Sequence, residues 1–192
     1  MRICREVATE RDLLNLHGTF YELPAENADG FAKVRPIASH NLAINDYASY
    51  RGLLVMTGIN LGAQANDHII TSEDGKASVW VGAIDDLWKL GKPIGQGGPW
   101  KDFKVTKGIP SDPYLIGFYD KKALEISHSN PTPVKFTIQV DPIGHGPWMD
   151  YMEVEVQPGQ TFTYAFPPSF QSRWIRFKAS DNCKATTWLT YN

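Results

Sequence analysis

Val134-Lys135-Phe136-Thr137-Ile138-Gln139-Val140 alternates apolar and polar residues without a break. Met152-Glu153-Val154-Glu155-Val156 repeats the pattern further on. Successive strand side chains point to opposite faces, so both stretches read as strands with one buried and one wet face. Thr161–Phe166 and Arg173–Lys178 alternate too, with Ile175 and Phe177 on one face and Trp174 on the other, and Lys184–Tyr191 closes the chain. Residues 132–192 therefore read as a small antiparallel, sandwich-like module of five strands. Its apolar face carries Phe136, Ile138, Val154, Val156, Phe162, Ile175 and Phe177.

Working back toward the N-terminus, short strands alternate with turns at spacings of about 8–12 residues, the pattern of an all-β chain. Leu14–Glu22, Ala32–Ala38, Tyr47–Tyr50 and Gly52–Gly58 form one group. His68–Ser72 and Ala77–Val81 flank Asp74-Gly75, a hairpin signal in which both positions are expected to take positive φ. Tyr114–Tyr119 and Ala123–His128 read as a second hairpin around Asp120-Lys121-Lys122. Two segments have helical potential: Thr9–Leu16, with a cap at Thr9, and Asp85–Leu90. Residues 14–58 and 68–128 each read as four strands, the second with an insertion at Leu87–Pro113. Four-stranded sheets in series are propeller blades, so residues 1–131 are expected to form a propeller-type region of about two blades. The prolines of Asn130-Pro131-Thr132-Pro133 mark the expected boundary. Two blades leave open sheet edges. This leads to an expectation of homo-oligomerisation, a trimer giving about six blades, enough to close a ring.

Composition removes several classes. The chain has 192 residues, 42% hydrophobic, with 19 basic and 21 acidic residues mixed along it. No basic stripe speaks for nucleic acid, and no apolar run has the length of a membrane-spanning helix. Gly95-Gln96-Gly97-Gly98 lacks the Lys-Ser/Thr ending of a phosphate loop, and no cofactor is expected. No metal-ligand spacing is present. Cys4 and Cys183 are compatible with one disulfide or two thiols. Met1–Val7 has no apolar core of a signal peptide, which leaves localisation open.

The richest stretch for chemistry is Gly82-Ala83-Ile84-Asp85-Asp86-Leu87-Trp88, followed by Gly97-Gly98-Pro99-Trp100. Carboxylates beside Trp on a loop leaving a strand suit sugar binding, through hydroxyl contacts and stacking on an indole. Asp85 or Asp86 is a candidate acid/base and Trp88 a candidate platform; the competing reading is a helical first turn with acidic residues at its positive end. Arg35 and His40, with Asp46, form a second constellation, Arg35 suiting a carboxylate-bearing sugar or, equally, an ion pair with Asp46. Asp46, Tyr50 and Arg51 form a third, in which a Tyr beside an acid has glycosidase precedent and surface aromatic packing is the alternative. Asp112, in Ser111-Asp112-Pro113, is either a sugar contact or a structural turn. His17 and Glu22, five apart in one strand, would face opposite ways.

His17–Pro24, Arg35–Asn41, Tyr50–Val55, Trp80–Trp88, Pro110–Leu115 and Ser172–Phe177 together resemble the C-terminal part of large, uncharacterised bacterial secreted β-propeller proteins, described as sialidase-like or glycoside-hydrolase-like. The resemblance covers nearly the whole chain. It implies a secreted or periplasmic parent, further N-terminal blades, and glycan as the partner. The resulting expectation is a carbohydrate-active module, glycoside hydrolase-like, acting on or binding complex or acidic glycans. Two alternatives stand beside it: a non-catalytic glycan-binding module with Trp88 and Trp100 as platforms, and a structural self-assembling β module.

Overall fold

The computed structural model describes residues 2–8, 11–60 and 67–192, and it is all-β, with only short 3-10 turns besides strands. The chain packs as two compact units, Met1–Pro93 and Ile94–Asn192.

The first unit contains β1 (Arg2–Ala8), β2 (Arg11–Leu16), β3 (Thr19–Pro24) and β4 (Arg35–Ser39), hydrogen-bonded in chain order as one antiparallel sheet. A second sheet contains β5 (Asp46–Tyr50), β6 (Leu53–Thr57), β7 (Ile69–Thr71) and β8 (Ser78–Gly82) in the order β5-β6-β8-β7. Leu13, Phe20 and Ile37 from the first sheet and Tyr47, Leu54, Met56 and Trp80 from the second share one core. The tight turns are built by left-handed residues. His17 and Gly18 have φ of 49° and 81°, and Arg51 and Gly52 have 51° and 81°. Positive φ at both central positions is the hairpin turn whose twist matches the flanking strands.

The second unit contains β9 (Gly95–Val105), β10 (Tyr114–Leu115), β11 (Lys122–His128), β12 (Val134–Asp141), β13 (Met149–Val156), β14 (Thr161–Ala165), β15 (Trp174–Ala179) and β16 (Cys183–Tyr191). They form two sheets, β10-β15-β12-β13 and β14-β11-β16-β9. The inner faces of both, including Phe136, Ile138, Ile175 and Phe177 from one and Leu124, Ile126 and Leu189 from the other, make a single core. Only β12 and β13 are joined as a hairpin; each other connection between consecutive strands crosses from one sheet to the other. This is a β-sandwich with alternating faces, as the period-two patterns demand.

Several expectations change. Arg11–Leu16 is a strand and not a helix, because its alternation places Leu13 and Asn15 inside; Thr9 lies outside the described residues. Leu14–Glu22 is two strands folded at His17-Gly18. At Asp74-Gly75 only Gly75 has positive φ, and the loop closes more widely, with the Ser72 N–H donating to the Ala77 carbonyl. Tyr114–Tyr119 and Ala123–His128 are not a hairpin: β10 pairs with β15, and β11 with β14 and β16. The five strands expected after residue 132 are present as β12–β16, but their unit also takes in β9, β10 and β11, so Asn130–Pro133 is no boundary and links β11 to β12 inside it. All four described sheets have linear strand orders with two open ends, so none closes on itself. Cys4 and Cys183 are both free thiols.

Candidate functional site

The site of interest lies in the first unit and begins with a cross-strand pair. The turn at His17-Gly18 sets the register that places Glu22 opposite Leu13 on β2 and opposite Arg35 on β4. Arg11 lies two residues before Leu13 on the same face of β2. The Glu22 carboxylate is largely enclosed and accepts from Arg11 Nη2 at 2.8 Å and from Arg35 Nη2 at 3.1 and 3.0 Å. Arg11 Nη2 also lies 3.7 Å from Asp85 Oδ1.

Asp85 and Trp88 are delivered by the 3-10 turn Ile84–Lys89, which packs on β4. Leu87 anchors this turn, being fully buried in the core. The turn starts where β8 ends, at Gly82, where a Cβ would fall 2.6 Å from the Trp80 ring and 2.8 Å from His68 Nδ1. Asp86 holds the turn: its Oδ2 accepts from the Ala83 N–H at 2.8 Å and its Oδ1 from Lys89 Nζ at 2.8 Å. Trp88 is 48% exposed, and the Arg35 guanidinium lies 5.5 Å from its ring centroid. Arg35 spends only Nη2 on Glu22, and among the described residues its Nη1 and Nε make no hydrogen bond. The result is a half-exposed indole beside a guanidinium with two of its nitrogens unspent.

Proton affinities follow the same geometry. Burial alone would raise the Glu22 carboxyl, but the hydrogen bonds and charges of Arg11 and Arg35 outweigh it and hold it below the ordinary range. Asp86 is also held low, first by Lys89 and then by the Ala83 N–H. A carboxyl whose folded pKa lies below its unfolded one adds stability above the unfolded value and loses it as pH falls through the folded value. Thermal stability is therefore expected to drop as pH falls from about 5 to about 3. Glu22→Gln should lower stability at pH 7 by about 2 kcal/mol and flatten that acid-side fall, as read by thermal melts across pH.

Of the expected site residues, the fold brings Arg35, Asp85 and Trp88 together with Asp86 in the same turn, and places the others elsewhere. Asp86 is a structural cap. Asp46 pairs with Arg5 at 3.2 Å on β5, so it is not the partner of Arg35. His40 is structural: its Nδ1 accepts from the Leu42 N–H at 3.2 Å, which puts the ring proton on Nε2, the donor to Asn15 Oδ1 at 3.1 Å. Burial pushes its pKa below the usual histidine value. Tyr50 and Arg51 stack on each other at 5.4 Å at the β5–β6 turn. Asp112 belongs to the second unit, where Ser111 Oγ donates to the Asp112 carbonyl and accepts from the Phe177 N–H, tying the loop to β15. Trp100 is 4% exposed in the core of the second unit and cannot serve as a platform. A cleft of about 690 Å³ lined by Glu6, Asp12, Pro24, Ala25, Glu26 and Asn27 holds none of these residues. Among the described residues no cluster of His, Cys, Asp or Glu has a metal-holding arrangement.

No family model and no curated protein matches the chain. Among solved structures, one described as "Crystal structure of PirA" is similar at 12% identity and a TM-score of 0.31, over 52% of this chain and 93% of that one. Another, described as "CBM4 structure and function", is similar at 18% identity and a TM-score of 0.27, over 81% of this chain and 76% of that one. Likenesses at this level bear on neither fold nor function.

Proposed function

We propose that this chain is a glycan-binding β module, with Trp88 as the stacking platform and Arg35 as the polar contact for an acidic or complex glycan. The observation that carries this reading is the half-exposed indole beside a guanidinium with two of its nitrogens unspent. Glu22 sits beneath, shared by Arg11 and Arg35, which leaves a positive excess in the enclosed part of the site. The exposed Asp85 is screened by solvent and offsets it little. Binding fits the site better than hydrolysis. A general acid at neutral pH needs a raised pKa, whereas Glu22 and Asp86 are both pushed down. Calorimetric titration with trigalacturonate and with maltotriose provides the test. Trigalacturonate is expected to bind, to weaken as salt rises, and to lose about tenfold or more on Arg35→Met. Binding indifferent to Arg35, or none, contradicts the proposal.

A second reading, self-assembly toward a closed propeller, is favoured by one observation. With Leu54, Met56 and Trp80 turned inward, the outer face of the β5–β8 sheet presents Tyr50, Leu53, Val55, Val79, Val81 and Ile70. Tyr50 is 63%, Leu53 43% and Ile70 59% exposed. Such a face suits a neighbouring sheet, supplied by further copies of the chain. On this reading light scattering gives a trimer, and Val55→Lys dissociates it. A monomer at all concentrations removes this reading.

A further inference from the structure

The second unit carries a polar relay that the first site does not involve. Gln139 on β12 is paired in register with Asp150 on β13 and with Arg176 on β15. The Gln139 side chain, only 6% exposed, joins them: Arg176 Nε donates to its Oε1 at 2.7 Å, and its Nε2 donates to Asp150 Oδ1 at 2.6 Å. The amide orientation has one solution, since a guanidinium only donates and a carboxylate only accepts. Gln139 therefore holds a donor and an acceptor at fixed positions on one sheet face. Beyond it, among the described residues, Arg176 Nη1 and Nη2 and Asp150 Oδ2 make no hydrogen bond.

An aromatic wall stands over this relay. The ring of Trp148 lies 4.2 Å from the Arg176 guanidinium carbon. Trp148 ends the loop after β12, and that loop is held by one buried carboxylate. Asp141, 2% exposed, accepts from the N–H groups of Ile143 at 3.1 Å, Gly144 at 2.8 Å and Gly146 at 2.7 Å. Trp174, two residues before Arg176, lies on the same outer face of β15. Both indoles are partly exposed.

We infer that Trp148, Arg176, Gln139 and Asp150 form a separate sugar subsite on the second unit, reading a vicinal diol of an uncharged pyranose. One hydroxyl accepts from the Arg176 amino groups and its neighbour donates to Asp150, while the sugar's C–H edge meets the part of the Trp148 indole that Arg176 leaves uncovered. Arg176 and Asp150 balance each other, so the site has no charge to spend on a carboxylate. This inference does not rest on the Trp88 site. Cross-strand pairing alone would stabilise the sheet; the fixed loop that sets an indole against the same three residues is what points to a ligand.

The test uses the full chain with ¹⁵N-labelled indoles, the Trp148 signal being assigned through Trp148→Phe. Methyl glucopyranoside, methyl galactopyranoside and methyl mannopyranoside are titrated to about 100 mM, a range that covers millimolar affinity. At least one is expected to move the Trp148 signal saturably. Arg176→Lys and Asp150→Ala, both on the solvent face, should each weaken that binding tenfold or more with the other indole signals in place. Arg35→Met should leave it unchanged, which separates this subsite from the Trp88 site. A Trp148 signal unmoved by all three glycosides overturns the inference, as does movement that survives both variants. Galacturonate binding here in place of the neutral sugars also overturns it.

Discussion

Trp88→Ala is expected to weaken trigalacturonate binding about thirty-fold, the effect of removing an aromatic anchor of about 2 kcal/mol. The loss should come without a loss of fold. Leu87, not Trp88, fills the core beneath the 3-10 turn, and Trp88 is 48% exposed with Arg35 over its ring. Trp88→Phe, which keeps a smaller ring, should retain most of the affinity. Calorimetry on the three proteins at one salt concentration reads the effect directly. Equal affinities would mean that the indole is not the platform.

Phe177→Ala is expected to destabilise the second unit by about 3–5 kcal/mol, the usual range for emptying a buried aromatic position. Phe177 is fully buried on an inner strand of its sheet, opposite Ile138, with the Trp100 ring centroid 6.2 Å away. The surrounding strands are hydrogen-bonded on both sides, so the cavity has little room to collapse. A drop of more than about 10 °C in the melting of this unit follows, read by thermal unfolding followed through Trp fluorescence. A change within a degree or two would mean that the sandwich core is not packed as described.

Much of the fold was legible because period two states which side of a strand is buried. Ile175 and Phe177 face inward and Trp174 outward, as the alternation of Arg173–Lys178 requires. What alternation does not state is which strand lies beside which. β11 is adjacent in sequence to β10 yet pairs with β14 and β16, because connections that cross between sheets leave no local mark. The turn at His17-Gly18 is hidden for a related reason: the run around it is apolar enough to read as one strand, while two left-handed residues, His17 at φ 49° and Gly18 at φ 81°, make the fold-back.

The candidate site shows the same division. Arg35, Asp85 and Trp88 announce themselves by residue type and loop context. Glu22 and Arg11 become visible only after the His17-Gly18 turn sets the register, since Glu22 read on one strand with His17 faces nothing useful. Arg11, Leu13 and Asn15 share one strand face, but the same stretch also fits the helix expected over Thr9–Leu16, in which that face does not exist. Gln139 and Arg176 read in the sequence simply as the wet face of strands, and Asp150 lies just before the stretch Met152–Val156 that reads as one. Their convergence depends on three strands pairing in one register, which no single stretch of sequence encodes.

The central claim is tested most directly by mapping trigalacturonate onto the full chain with ¹⁵N spectra of the Trp indoles and Arg Nε groups. The account predicts saturable shifts of the Trp88 indole and Arg35 Nε, with the buried Trp80 and Trp100 indoles still. Shifts confined to residues of the second unit, or none at saturating ligand, would contradict it.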